Sequence, residues 1–206
     1  MDRSGLKRLG ILGGTFDPPH LAHLRVAEEI REAFSLDKVV FIPAGFPPHK
    51  KEGSYSPFNH RWYMVNLSIK GNPYFFALDL EKEEKPSYTL NTLKKLKTLY
   101  PQTELFFIMG PDAFFSIHTW WRWRELPDWA NFIVLMKREG PLKPEDFELR
   151  AGKLFGEKAK AFFFFENTPL GISSSMIRRL VKEKKSIKYL VVPEVEAYIK
   201  KERLYL

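Results

Sequence analysis

Residues 13–23 read Gly13-Gly14-Thr15-Phe16-Asp17-Pro18-Pro19-His20-Leu21-Ala22-His23. The apolar run 7–12 before them is typical of a buried strand, and residues 24–31 after them have apolar positions at helical spacing. A glycine pair therefore lies where a strand meets a helix. Glycine lets the backbone approach a ligand closely and adopt torsions closed to other residues, while the start of a helix offers free N–H groups to an anion. We interpret these residues as a phosphate-binding turn.

Two imidazoles accompany the turn. His20 and His23 are three positions apart at the start of the predicted helix, so their side chains lie on one face of it. The stretch has neither the third glycine of the dinucleotide fingerprint nor the Gly-Lys-Ser/Thr of a Walker loop. A plain glycine turn followed by surface histidines is the alternative interpretation.

The whole run resembles a segment of the nucleotidylyltransferase superfamily, and most closely that of the bacterial nicotinate mononucleotide adenylyltransferases. In that superfamily a Gly-Gly-Thr/Ser-Phe-Asp-Pro-x-His-x-Gly-His segment binds the triphosphate of ATP, and its two histidines stabilise the transition state. Ala22 stands where the family usually has glycine. One added methyl group near the phosphates is expected to have a small effect, because alanine is tolerated in an ordinary helical conformation.

The order of elements along the chain predicts the fold class. Apolar runs typical of strands occur at residues 7–12, 38–43, 74–80, 104–109, 131–136 and 161–165. Helical patterns lie between most of them, which favours an α/β protein with parallel strands and right-handed crossovers. With the resemblance, this predicts a Rossmann-like doubly wound sheet of about six strands in a single domain, 1–206, ending in a small helical portion at about 173–206. The unbroken apolar run 161–165 predicts a strand covered on both faces.

A second motif appears near the end of the chain. Three serines and an arginine one turn later supply hydroxyls, free N–H groups and a planar charged fork, and together they predict a phosphate clamp made by Ile172, Ser173, Ser174, Ser175 and Arg178. The motif resembles the family's Ile-Ser-Ser-Thr-x-Ile-Arg segment, with Ser175 in place of threonine. A serine-capped helix with a basic face is the simpler alternative.

The resemblance implies further site residues. For ATP it adds Gly110 and Asp112, since a carboxylate can accept hydrogen bonds from both ribose hydroxyls. For substrate phosphates it implies Lys50, in the loop after the second strand. For the mononucleotide it implies Thr15, Asp17, Lys50, Ser87, Tyr88, Thr89, Trp120 and Trp121. An indole face suits a positively charged pyridine ring, and we interpret Trp123 and Trp129 as packing residues. Lys137 and Arg138 are left without a role.

Length and composition limit the classes of protein and of site that are possible. The chain has 206 residues, a net charge of +8 and no cysteine, which excludes disulfides, thiolate zinc sites and cysteine nucleophiles. The positive excess suits ATP, a mononucleotide or a nucleic acid equally. The sequence has no signal peptide pattern and no apolar run of membrane-spanning length, so we expect a cytoplasmic protein without a membrane partner.

The resemblance implies adenylyl transfer from ATP to nicotinate mononucleotide. The attacking phosphate oxygen needs no general base, because a phosphomonoester is largely ionised at neutral pH. His20, His23, Lys50 and Arg178 would then neutralise charge on the transferring and departing phosphates. Mg²⁺ would arrive with ATP, without a dedicated protein metal site. A homo-oligomer is compatible with the sequence. The alternatives are another nucleotidylyltransferase, such as a pantetheine-phosphate adenylyltransferase, and a basic module that binds single-stranded nucleic acid.

Overall fold

The computed structural model describes residues 5–47, 53–83, 85–137 and 143–206. Its strands are β1 (Arg8–Gly14), β2 (Lys38–Pro43), β3 (Phe75–Ala77), β4 (Glu104–Met109), β5 (Asn131–Lys137) and β6 (Phe162–Asn167). Its α-helices are α1 (Leu21–Ala33), α2 (Phe58–Ile69), α3 (Thr89–Leu99), α4 (Pro111–Ser116), α5 (Pro144–Phe155), α6 (Ser174–Lys182) and α7 (Pro193–Lys201). Short 3₁₀ helices cover Ile117–Thr119, Trp123–Asp128 and Gly156–Ala161.

The strands form one parallel sheet in the order β3-β2-β1-β4-β5-β6. Strand β1 pairs with β2 on one side and with β4 on the other, in register Ile11 with Val40 and Ile11 with Phe107. The connections after β1 and β4 therefore run to opposite faces of the sheet and leave a crevice between them, which is where open α/β sheets bind ligands. The prediction of a Rossmann-like doubly wound sheet is confirmed.

Alternation along the strands builds a core on each face of the sheet. Leu9, Ile11 and Phe107 pack with α3 and α5 in one cluster, while Leu12 and Phe106 pack with α1 and α2 in the other. Successive side chains of a strand point to opposite faces, so nearly continuous apolar strands are needed where both faces are covered.

Two of the predicted strands differ from the structure. Strand β3 is short, because after Leu78 donates to the carbonyl of Phe41 the chain turns, with the Lys82 N–H bonded to the Asp79 carbonyl. Strand β6 was predicted to be covered on both faces, and this is wrong. It forms an edge of the sheet, and Phe163 remains 39% exposed although the rings of Phe34 and Phe106 lie near it.

The C-terminal helices pack beside α2. Ile177 of α6 and Val195 and Ile199 of α7 bury against Met64 of α2. The carbonyl of Leu190 also accepts a hydrogen bond of 3.0 Å from the N–H of Leu21, at the start of α1. The end of the chain is thereby fixed next to the first motif. Of the helices in the described residues, none combines the length and the apolar composition that crossing a membrane requires.

Candidate functional site

Two adjoining cavities open at the carboxyl edge of the sheet, above the crevice between β1 and β4. They measure about 470 and 400 Å³ and share Ser87, Thr89 and Trp120 as common walls. The first cavity is also lined by Gly13, Gly14, Thr15, His20, His23 and Gly110. Together the two cavities could hold a ligand with two linked parts.

The glycine pair leaves room for that ligand. A Cβ on Gly13 would stand 3.6 Å from the ring of Phe107, inside the first cavity, and one on Gly14 would lie 3.2 Å from the ring of Phe16. Neither glycine adopts a positive φ. That conformation belongs instead to Phe16, at φ 51°. The sequence argument for unusual glycine torsions was therefore wrong, and the glycines serve here by having no side chain.

Phe16 has a packing role in this structure. Its side chain is buried, and its ring meets His23 edge-on at 5.0 Å and Phe41 at 5.9 Å. Phe16 was predicted to bind ATP. Because its side chain is buried, it could contact a ligand only through its backbone. Ala22, the departure from the family pattern, lines the first cavity.

The two histidines stack on each other at the start of α1. Their ring centroids are 3.7 Å apart, and the backbone N–H of His20 donates to Nδ1 of His23 at 3.2 Å. In a neutral His23 the proton therefore lies on Nε2. His20 is 6% exposed, and its Nδ1 is buried without a hydrogen-bond partner among the described residues. A buried polar atom in a cavity wall indicates a missing partner.

Burial keeps both imidazoles uncharged in the free protein. Loss of solvation lowers the pKa of His20 from its ordinary 6.5 to about 4. The same cause, reinforced by the neighbouring His20, lowers the pKa of His23 well below the usual value. At neutral pH the pair offers hydrogen-bond donors, and a phosphate bound beside them would favour their protonated forms.

The second motif docks on the first. Arg178 Nη1 donates to the backbone carbonyl of Asp17 at 2.6 Å, and the Ser174 hydroxyl donates to the carbonyl of Pro18 at 2.8 Å. Two segments 156 residues apart in sequence are thus joined at one turn. The side chains of this motif do not line the two cavities in this structure.

The remaining residues of the second motif mainly build α6. Ser173 caps the helix by accepting a hydrogen bond from the N–H of Met176 at 3.2 Å, and its hydroxyl lies 3.1 Å from that of Ser175. Ile172 packs against the C-terminal cluster. Their predicted contacts with ATP remain predictions.

Asp17 is held inside the protein. Its carboxylate is 1% exposed and accepts hydrogen bonds from the Tyr205 hydroxyl at 2.8 Å and the Ser56 N–H at 3.1 Å. Arg178 lies 3.9 Å from the same carboxylate. In this structure the side chain therefore organises the turn, and its predicted contact with the mononucleotide stays a prediction.

Five of the eight residues predicted for the mononucleotide line the second cavity, whereas Thr15 lines the first. These five are Ser87, Tyr88, Thr89, Trp120 and Trp121. The Tyr88 and Trp121 rings stack at 5.1 Å and 23°, whereas Trp120 meets the ring of Phe107 edge-on at 6.2 Å. Five side chains that the sequence predicted for one ligand, all aromatic or hydroxyl-bearing, therefore line the same cavity.

The other predicted residues divide into three groups. Gly110 lines the first cavity, whereas Asp112 is exposed in the first turn of α4 and outside the cavity walls. Lys50, predicted as a catalytic residue, and Arg138 lie outside the described residues. Trp123 packs edge-on against Phe155 at 5.2 Å, as expected for a packing residue.

Comparison with known proteins decides the family. The cytidylyltransferase-like family model matches residues 11–180. A probable nicotinate-nucleotide adenylyltransferase of Desulfatibacillum aliphaticivorans is 42% identical over 217 residues, covering 97% of this chain and 100% of the relative. Another, of Trichlorobacter lovleyi, is 43% identical over 210 residues, covering 96% and 99%. The chain belongs to the nicotinate-nucleotide adenylyltransferase family.

Solved structures agree with this family fold. The nicotinic acid mononucleotide adenylyltransferase of Plasmodium falciparum complexed with NaAD superposes with a TM-score of 0.79 at 24% identity, covering 97% of both chains. The same enzyme complexed with APC gives a TM-score of 0.77 at 24% identity and the same coverage. At this identity the similarity establishes the fold.

Three residues of this nicotinate-nucleotide adenylyltransferase family member were missed by the sequence analysis. Glu81 lines the first cavity, and Arg61 and Tyr205 hold the loops around it. Glu81 follows shortly after β3, so its position at the carboxyl edge of the sheet was a usable signal. Arg61 and Tyr205 lay within helical patterns, and nothing in the sequence connected them to the turn.

Proposed function

We propose that this chain transfers the adenylyl group of ATP to nicotinate mononucleotide, giving nicotinate adenine dinucleotide and pyrophosphate in NAD biosynthesis. One observation carries the proposal more than any other. Two stacked imidazoles line a cavity beside a glycine pair at a helix N-terminus. Ser174 and Arg178 of the second motif are hydrogen-bonded to the same turn. Membership of the family supplies the substrates.

The reaction requires positioning and charge stabilisation. A phosphate oxygen of the mononucleotide attacks the α-phosphorus of ATP, and the bond from this phosphorus to the oxygen bridging to the β-phosphorus breaks. Pyrophosphate leaves with that electron pair. The attacking oxygen is already ionised, so no side chain has to remove a proton. His20 and His23 donate hydrogen bonds to the phosphates, and Lys50 and Arg178 add positive charge.

The two cavities divide the ligands in this proposal. The first, with Gly13–Thr15 and Gly110 at the switch between β1 and β4, receives ATP. The second, with Trp120 and the hydroxyls of Ser87 and Thr89, receives the pyridine ring. Trp120 and Thr89 line both cavities, so ligands bound in the two cavities would be neighbours. The mononucleotide phosphate would then lie close to the ATP phosphates.

Magnesium would enter this site with ATP. Among the described residues there is no cluster of three acidic or histidine side chains able to hold a metal ion, and the Asp17 carboxylate is engaged by Tyr205 and Ser56. Mg²⁺ therefore fits as a companion of the phosphate oxygens, where it would offset their charge. A cytoplasmic location and a homo-oligomeric state remain predictions from the sequence.

The direct test is pyrophosphate release with purified protein, ATP and Mg²⁺. Nicotinate mononucleotide should give pyrophosphate and dinucleotide in equal amounts. Phosphopantetheine in place of the mononucleotide should give none, and single-stranded RNA should not be retained on filters with the protein. Activity with phosphopantetheine alone would assign the chain to the rival nucleotidylyltransferase, and RNA retention without pyrophosphate release would favour the nucleic-acid-binding alternative.

His23→Ala is the sharpest variant for this mechanism. Loss of one transition-state donor typically costs about a hundredfold or more in kcat. We expect at least that reduction, measured by pyrophosphate release at saturating substrates. His118→Ala, at an exposed histidine outside the cavities, is the matched control and should keep wild-type turnover. Unchanged turnover in His23→Ala would remove this imidazole from the mechanism.

A further inference from the structure

Arg61 is a buried side chain that the proposed chemistry does not use. It lies in α2, is 0% exposed and does not line either cavity. Its guanidinium makes four hydrogen bonds to backbone carbonyls. Nε donates to Ser56 at 2.8 Å, Nη1 to Thr15 at 2.8 Å and Ala44 at 2.7 Å, and Nη2 to Gly45 at 3.2 Å.

These four carbonyls belong to three separate segments. Thr15 follows β1 and lines the first cavity, and Ala44 follows β2 and lines it as well. Ser56 precedes α2, and its N–H donates to the Asp17 carboxylate. Arg61 thus joins the phosphate-binding turn to the loop after β2, and Ser56 joins the guanidinium to Asp17. The loop after β2 also leads to Lys50.

The surroundings of Arg61 allow no large displacement. Gly45 is pressed against the next segment, since a Cβ there would stand 1.8 Å from the carbonyl oxygen of Glu81. The rings of Tyr55 and Phe58 lie 5.2 and 5.5 Å from the guanidinium carbon. The guanidinium spreads five N–H donors over three nitrogens of a planar fork, whereas the three donors of a lysine ammonium lie on one nitrogen and cannot span the same set of carbonyls.

The charge of Arg61 is retained without a close counterion. No described carboxylate lies within 4.0 Å of the guanidinium, so carbonyl oxygens carry its hydrogen bonding. Burial lowers the pKa of Arg61 below its ordinary value and outweighs the opposing effect of Asp17, but an arginine stays protonated in proteins. A positive charge directly behind the Thr15 peptide adds attraction for an anion on its other side.

We propose that Arg61 is a positioning residue for adenylyl transfer. By fixing Thr15 relative to Ala44 and Gly45, it sets the distance between the turn after β1 and the start of the loop after β2, which both line the cavity that receives ATP. This inference rests on the proposed function. In-line transfer depends on such distances, since a misplacement of about 1 Å can cost on the order of a hundredfold in rate.

The test compares three substitutions in the full-length protein. Arg61→Lys keeps the charge and loses the fork, Arg61→Met fills the volume without charge, and Arg61→Ala leaves a guanidinium-sized space. We expect kcat to fall at least about tenfold in the lysine variant and about a hundredfold in the other two. The KM values for ATP and the mononucleotide should change less than kcat. Arg124→Ala, at an exposed arginine, is the control.

Chemical rescue separates positioning from simple stabilisation. Guanidinium chloride at concentrations far below those that denature the protein should restore at least about tenfold of the lost kcat in Arg61→Ala. It should not rescue Arg61→Met, whose side chain occupies the space, and sodium chloride at the same ionic strength should rescue neither. If Arg61→Ala does not fold, the lysine variant decides, assayed well below its Tm.

The outcomes distinguish this inference from the proposed function. A wild-type protein that releases no pyrophosphate with any pyridine mononucleotide contradicts the proposed function itself. An active wild type together with a folded Arg61→Lys variant of wild-type kcat contradicts the inference and leaves the function standing. Loss of kcat in the variants with guanidinium rescue of the alanine variant supports both.

Discussion

His20 and His23 obtain their properties from their place at the start of a helix. The residues are one turn apart, so their rings can stack, and the backbone N–H of His20 is free to bond to His23 because no earlier carbonyl can accept it. Burial then keeps both rings neutral without a ligand. Burial disfavours the charged form of both rings when no ligand is bound. The negative charge of bound phosphates would offset this effect.

The low pKa of His20 predicts a specific pH dependence of stability. Between pH 6.5 and about 4 the unfolded chain binds more protons at this residue than the folded protein, so the free energy of unfolding falls as the pH is lowered. The contribution is fully present above pH 6.5 and amounts to about 3 kcal/mol. Urea denaturation of His20→Gln between pH 7.5 and 5 should therefore show a flatter dependence than the wild type.

If the free energy of unfolding of His20→Gln depends on pH as steeply as that of the wild type, the pKa of His20 is not lowered in the folded protein. The account of a neutral His20 would then be contradicted.

Trp120 predicts a selective effect on substrate affinity. Its ring lines the second cavity and lies 6.2 Å from that of Phe107 at an angle of 86°, so we expect it to be available to a charged pyridine. Trp120→Ala should raise the KM for nicotinate mononucleotide more than the KM for ATP in steady-state pyrophosphate release. Trp129→Ala, which removes a packing tryptophan under Lys94, should not discriminate between the substrates. Equal changes in both KM values for Trp120→Ala would place the ring elsewhere.

The positions of the candidate site residues could be predicted from the sequence only where the contact is local. The histidine pair and the hydroxyls before α3 were found because helix starts leave polar groups unpaired. Asp17 was assigned to substrate, although its carboxylate is bonded to Tyr205, 188 residues away. Such a partner depends on how the C-terminal helices pack, which no local pattern encodes.

The C-terminal tail acts as an element that supports the turn after β1. Tyr205 follows α7, and its hydroxyl donates to the buried Asp17 carboxylate. Ser174 and Arg178 of α6 donate to the backbone carbonyls of Pro18 and Asp17, respectively. The tail and α6 thereby hold one turn from two directions. Burial and the nearby Asp17 raise the pKa of Tyr205, so the hydroxyl keeps its proton.

Tyr205→Phe tests that support. Removing a hydrogen bond to a charged group should lower the free energy of unfolding by about 1–3 kcal/mol, because the carboxylate stays buried with fewer donors. Urea denaturation at pH 7.5 measures the loss. Tyr189→Phe, at a tyrosine 77% exposed, should change the same free energy by less than about 0.5 kcal/mol. An unchanged midpoint in Tyr205→Phe would show that the hydroxyl does not stabilise the turn.

Strands were predictable from the sequence where an apolar composition coincides with a buried position in the sheet. Strands β1, β2 and β4 lie in the middle of the sheet, and their apolar runs match their bounds closely. Strand β6 has the same composition but lies at an edge, since strand order is a property of the assembled sheet. No element was predicted for residues 111–119, where α4 and a 3₁₀ helix form.

At the scale of the whole molecule, the site is a consequence of topology. The strand order reverses at β1, so the turn after β1 and the loop after β4 diverge and leave the first cavity between them. The C-terminal helices then close onto the same edge. The parallel sheet followed from the sequence and the family resemblance. The convergence of the two motifs was expected from the resemblance, and the contacts that join them became visible only in the structure.

The central claim is that the bond between the α- and β-phosphates of ATP breaks and that the adenylyl group passes to the mononucleotide. The most direct measurement follows ATP labelled at the α-phosphorus, incubated with the wild-type protein, Mg²⁺ and nicotinate mononucleotide. The account predicts labelled nicotinate adenine dinucleotide and unlabelled pyrophosphate in equal amounts. Label recovered in ADP, or in AMP without dinucleotide, would contradict it.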